Sequence, residues 1–197
     1  MVRRRADLFS AYVGTDQNIG MVRAREENHK ATIERLCAAG LDNGVSALQK
    51  IGPNPARWSP KDFTTVAKWT MRSHPATNVQ IIQLLKAAVW FTPGYTLRDI
   101  RDFVSGMHFS TERLFAEIRT YDAWADGTHF TVPFFIFQGE NDVVTPPSLA
   151  KEFLEDVTAP LKHMELIRNA GHFAAFTQPE QFVRAMLAHV KPIAIGG

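Results

Sequence analysis

Asp142 and His172 are the residues of this chain whose types and placement could do acid–base chemistry. Asp142 sits in QGENDVVTPP, directly after the apolar run VPFFIF, and His172 sits in RNAGHF, directly after KHMELI. An aspartate that accepts a hydrogen bond from one imidazole nitrogen fixes the tautomer and stabilises the imidazolium. The other nitrogen is then free to act as a general base. Taken singly, each residue has an ordinary reading: Asp142 as a turn residue or helix cap, His172 as a satisfied loop histidine.

The surrounding elements bring the two together. Phe134 to Phe137 reads as a strand apolar on both faces, as expected of a parallel strand covered by helices on both sides. A helical pattern follows from Pro147 to Val157, then a strand from Met164 to Ile167, then a helical pattern from Pro179 to Val190. For that last helix Thr177 is the expected cap, with Glu180 reaching back and Pro179 at an early position. Two strands joined through a helix lie parallel with a right-handed crossover, so their carboxyl ends share one edge. Neighbouring strands lie about 5 Å apart, and open α/β sheets bind ligands outside that edge. A further strand is expected at Ser10 to Val13.

Between about Asn18 and Gly127 no strand pattern is evident; helical patterns alternate with the proline-broken loop GPNPARWSP, which must be extended or turned. IGMVRAREENHKATIERLCAAG reads as a long helix stopped by Gly40, and DNGVSALQKI as a shorter one. Ser59 caps a helix with Pro60 at its first position. TNVQIIQLLKAAVW and STERLFAEIRTYDAWA read as further amphipathic helices. The fold class is therefore α/β, with about three parallel strands, flanking helices and a helical insertion.

Composition narrows the function classes. The chain has 197 residues, 45% hydrophobic and 21% charged, with a formal net charge of +2. That charge is too small to argue for a nucleic-acid or anionic membrane partner; the run Arg3-Arg4-Arg5 reads as a solvated helix face. The single cysteine, Cys37, excludes an internal disulfide and suits a reducing, cytoplasmic setting. Within IERLCAAG it is expected to be a small buried hydrophobe. No apolar run is long enough to span a bilayer, and no signal-peptide pattern follows Met1. The seven histidines lack a metal-ligand spacing such as His-x-x-x-His. His163 and Glu165 share one strand face, but no third partner is visible in the sequence. Neither a cofactor nor a metal is expected.

The segment from Val132 to Ala194 strongly resembles the C-terminal part of α/β-hydrolases, within them the proline iminopeptidase-like branch. The resemblance rests on the turn Gly139-Glu140-x-Asp142, on Thr145-Pro146, on Ala159-Pro160-x-Lys162, and on Gly171-His172-Phe173. ADLFSAYVGTDQ resembles the segment that follows the nucleophile helix, with Ala6 where the family usually has proline. GYTLRDIRDFVSGMHFS resembles the end of a helical cap. The resemblance implies a partial α/β-hydrolase fold, with residues 1–17 and 128–197 from the core and 18–127 as a helical lid. It implies that Asp142 and His172 are the acid and base of a Ser-Asp-His triad. It also implies a small-molecule, short-peptide or ester substrate. Glu26 and Glu27 are then candidates for holding a free amino terminus, although a solvated helix face suits them as well. Trp90, with Trp58, Trp69, Phe91 and Tyr95, could line an apolar pocket or fill a cap core.

The family's nucleophile sits in a Gly-x-Ser-x-Gly elbow, and none of the serines here has that glycine frame. Ser148, at a helix start, and Cys37, in the helical block, are poor replacements. By resemblance the chain corresponds to the second half of a hydrolase, starting past its nucleophile. It is expected to be inactive alone and to self-associate through a bare edge of its sheet. The competing reading is a non-catalytic module, derived from a hydrolase half, that binds a ligand or a partner protein.

Overall fold

The computed structural model describes residues 1–74, 83 and 93–195. They form two compact units. One comprises Met1–Gly20 with Asp122–Gly197, the other Met21–Tyr121.

The first unit is built on a parallel sheet of three strands in the order β1-β2-β3: β1 (Tyr12–Thr15), β2 (Phe134–Gly139) and β3 (Lys162–Ile167). β2 is central and buried along its whole length, which is why it could be read as an uninterrupted apolar run. Phe135 and Phe137 face one side, packing with Val13, Ile167, Ala185 and Val190. Phe134 faces the other, its ring 4.5 Å from Tyr12, 4.5 Å from Phe130 and 6.1 Å from Phe153. Phe153 belongs to helix α6 (Pro147–Asp156), the crossover from β2 to β3. The opposite face is covered by α8 (Pro179–Ala185), a π-helical turn (Met186–Val190) and α9 (Lys191–Ile195). Two short helices, α5 (Ala123–Asp126) and α7 (Ala174–Thr177), complete this unit.

The second unit is helical: α1 (Met21–Ala38), α2 (Asp42–Ile51), α3 (Pro60–Arg72) and α4 (Leu97–Ile118). Leu36, Leu48, Trp58, Val66 and Phe115 form its core. Gly40, at φ +67°, closes α1: Leu41 N–H bonds the Leu36 carbonyl and Gly40 N–H that of Cys37, a Schellman ending. Among the described residues no helix is long and apolar enough to cross a membrane.

Several sequence expectations are corrected. β1 lies two residues later than Ser10–Val13, because Gly14 and Thr15 continue the ladder opposite Ile136 and Phe137. α4 begins at Leu97 rather than Ser110: Thr96 and Asp99 make a capping box there, and the helix runs through Gly106. Thr177 does not cap α8. It ends α7, its hydroxyl donating to the Phe173 carbonyl, and Gln178 takes the cap position without a side-chain bond. Cys37 is exposed, because Leu36 is the residue that the last turn of α1 presents to the core. Arg3 and Arg4 lie in a turn rather than a helix, and Arg5, just after it, is bonded to Asp7 at 2.7 Å. TNVQIIQLLKAAVW lies, apart from Gln83, outside the described residues.

Candidate functional site

The β2–β3 register pairs Gly139 with Ile167, so both strands end level. Asp142 follows three residues beyond one end and His172 five beyond the other. Their side chains meet: Nδ1 of His172 is 2.9 Å from Oδ2 of Asp142. The Asp142 side chain has no solvent exposure and that of His172 keeps 17%. A buried carboxylate is tolerated only when donors satisfy it, and here they converge. Val144 and Thr145 N–H donate to Oδ1 at 2.8 and 3.0 Å, the side chain bonding its own chain two and three residues on. On Oδ2, the Thr145 hydroxyl donates at 2.6 Å and the Gln138 amide at 2.9 Å, alongside His172. The Gln138 amide also donates to the Thr145 carbonyl at 2.7 Å. The Thr145 hydroxyl oxygen lies 3.1 Å away as well, and all three oxygens facing the amide are acceptors, so its nitrogen must point this way.

This arrangement fixes the state of His172. Asp142 accepts from Nδ1, which places the neutral imidazole's proton there and a lone pair on Nε2. Nε2 makes no hydrogen bond to any described residue. The Phe173 ring stacks at a tilt beside the imidazole, centroids 4.5 Å apart. A ring held by its Nδ1 bond and one flank, with Nε2 open, is the arrangement a general base needs.

Three backbone features bring the His172 loop onto the Asp142 loop. The first is Gly139. A Cβ there would lie 2.2 Å from the Gly171 carbonyl oxygen and 2.8 Å from that of Ala170, so only glycine admits the approach. The second is cross-bonding between loops: Glu140 N–H to the Ile167 carbonyl, Asn141 N–H to that of Ala170, and Asn169 N–H to the Glu140 carboxylate at 2.9 Å. The third is strain. The non-glycine residues with positive φ among those described are Asp16, Asn169 and Phe173, and all follow strands at this edge. Asparagine and aspartate tolerate that conformation, but phenylalanine does not do so readily. Such strain persists only where its surroundings enforce it, as at functional sites.

Asp16 is the site residue that sequence reading missed. It lies just past β1 and ties that strand end to the end of β2 and to the start of α7, Oδ2 accepting from Ala174 N–H at 2.9 Å and Oδ1 from Gly139 N–H at 3.4 Å. Burial first, and then the neighbouring Asp142 charge, push its carboxyl above the ordinary value of 3.8; the Ala174 and Gly139 N–H groups and His172 oppose the rise. A carboxyl with a raised folded value binds its proton more tightly folded than unfolded. Stability therefore falls as pH rises from 3.8 through the folded value. Unfolding free energies measured against pH should show wild type losing ground to Asp16→Asn across that window; parallel curves would show that Asp16 titrates alike in both states. Its signal in the sequence was the charged end of YVGTD at a strand terminus. For Gln138, also missed, it was a lone polar residue closing the run VPFFIF.

Of the other predicted residues, those described lie in the helical unit. Glu26 is exposed on α1, where Glu27 also falls. Trp58 is core rather than pocket lining, its indole N–H donating to the Gly52 carbonyl. Trp69 packs against the same core and Tyr95 is exposed. Trp90 and Phe91 lie outside the described residues.

No family model matches the chain. A stretch of 97 residues, 49% of the chain, is 24% identical to the probable aminopeptidase YbaC of Bacillus subtilis (strain 168) and covers 30% of it. The chain thus spans about a third of the length of this curated relative. Among solved structures it is similar to that of a candidate non-heme bromoperoxidase, BpoC, from Mycobacterium tuberculosis. That likeness has 20% identity and a TM-score of 0.42, covering 96% of this chain and 60% of that one.

Proposed function

We propose that this chain carries the acid and base of a serine-type hydrolase of the α/β-hydrolase kind, acting on an amide or ester. The observation that carries the reading is the buried Asp142–His172 bond at the carboxyl ends of parallel strands, with Nε2 open. In the reaction, Nε2 takes the proton of a nucleophilic hydroxyl and later returns it to the leaving group. Asp142 holds the ring and stabilises the imidazolium. The similarity to a probable aminopeptidase supports an amide substrate; the proline iminopeptidase-like branch rests on the motif resemblance at Gly139-Glu140-x-Asp142 and Gly171-His172-Phe173. Glu26 and Glu27 remain candidates there for a free amino terminus.

The nucleophile is proposed to come from outside these residues. The sequence has no Gly-x-Ser-x-Gly, and no described serine or cysteine bonds Nε2. Hydrolysis of a p-nitrophenyl ester tests both parts. The 197-residue chain alone should be no faster than its His172→Ala variant. Joined to a strand–elbow–helix segment carrying Gly-x-Ser-x-Gly, it should turn over, and His172→Ala should then cost about 10⁴-fold or more. Turnover by the chain alone that His172→Ala abolishes would overturn the external nucleophile. A joined protein indifferent to His172→Ala would overturn the base.

A further inference from the structure

We propose that His163, Glu165 and His189 bind a divalent transition-metal ion of the Zn²⁺ class, at a site separate from the Asp142–His172 pair. His163 and Glu165 alternate along β3 and so project to one face, the face that packs under the C-terminal helices beside Phe135 and Phe137. The third group comes from the π-helical turn at Met186–Val190. Such turns change a helix's side-chain register locally and are frequent at functional sites. Here the turn sets His189 against the strand pair, with its ring stacked on that of His163 at 3.9 Å.

One ligand atom from each residue falls within 4.8 Å of the others. His189 Nε2 lies 3.2 Å from Glu165 Oε2, and His163 Nε2 lies 3.7 Å from the same oxygen. Two ligands on one tetrahedral ion are separated by about 3.3 Å, given metal–ligand distances of about 2.0–2.1 Å. The Glu165–His189 pair already has that spacing; on binding, the His163 side chain would rotate to bring its ligand nitrogen, now within 4.8 Å of the others, to the same separation.

An independent observation points to a ligand. His163 Nε2 has no solvent exposure and no hydrogen-bond partner among the described residues. A buried imidazole nitrogen without a partner is costly, and a metal ion is what its lone pair, beside a carboxylate and a second imidazole, would satisfy. Two imidazoles with one carboxylate favour zinc-like ions over Mg²⁺ or Ca²⁺, which take oxygen ligands. The three side chains are part-exposed, so water can complete the coordination. The ion would clasp β3, an outer strand among those described, to the C-terminal helical segment, and so stabilise the folded chain.

The test uses the untagged 197-residue chain after chelator treatment. Co²⁺ titration should give one equivalent of a visible-absorbing complex. Zn²⁺ at a hundredfold excess over its Kd should raise the melting midpoint by roughly 5–10 °C. His189→Ala should weaken binding by more than about 100-fold, beyond the cost of losing an outer-shell partner. His108→Ala, which removes an exposed helical histidine with its own Glu112 neighbour, should leave binding unchanged. In the wild-type chain, substoichiometric Co²⁺ should broaden the ring signals of His163 and His189 and spare those of His172, which needs no variant to fold. Absence of stoichiometric binding, binding indifferent to His189→Ala, or broadening of His172 first would each overturn the site.

Discussion

Replacing Asp142 with alanine is expected to destabilise the chain by about 3–5 kcal/mol, because several buried donors lose their shared acceptor at once. The carboxylate accepts from Val144, Thr145 (twice), Gln138 and His172. Its loss strands all of those donors in a place without solvent exposure. An unsatisfied buried donor costs about 1–3 kcal/mol, and water entering the vacated space recovers part of it. Against a typical total stability of about 5–15 kcal/mol, this is a large share. Urea unfolding reads it as a lowered midpoint at unchanged slope. A change under about 1 kcal/mol would mean that the donors find other partners and that the carboxylate is not the centre of this network.

Gly139→Ala tests the geometry from the other side. The new methyl would meet the Gly171 carbonyl oxygen at 2.2 Å, so that backbone must retreat by roughly 1 Å before contact becomes ordinary. Backbone cannot swing aside as a long side chain can. Overpacking of this kind costs about 1–3 kcal/mol. The displaced segment is the one that carries His172, so the Asp142 bond is expected to be lost along with the stability. The neutral His172 ring should then lose its preference for the Nδ1–H tautomer. A retained Nδ1–H tautomer in Gly139→Ala would show that the loop approach is looser than these distances imply.

Local pattern made much of the sheet legible. β2 could be read because all its residues are buried, and Asp142 and His172 could be paired because short loops follow strands joined by one crossover helix. α2 was legible in full because Leu41 and Gly52 bound an unbroken helical pattern. What failed depended on contacts distant in sequence, or on glycines that look like breaks. Gly14 resembles the end of a strand, yet it continues the ladder to Thr15. Gly106 suggests an interruption, yet α4 passes through it from the Thr96–Asp99 box. Asp16 reaches Ala174 across most of the chain, and no local signal encodes that bond. His189 meets Glu165 and His163 from a π-helical turn, a tertiary contact that helical periodicity does not foretell. Gly139, by contrast, was visible as a motif residue, but its reason, the close carbonyl of Gly171, is purely tertiary.

Asp142 holds the proton of His172 on Nδ1 and leaves Nε2 as the available base. Nitrogen-15 NMR of the His172 ring tests it most directly. At a pH where the imidazole is neutral, the spectrum should show the Nδ1–H tautomer and a slowly exchanging Nδ1 proton, and both features should collapse in Asp142→Ala. A neutral ring protonated on Nε2, or one averaging freely between tautomers in the wild-type chain, would contradict it.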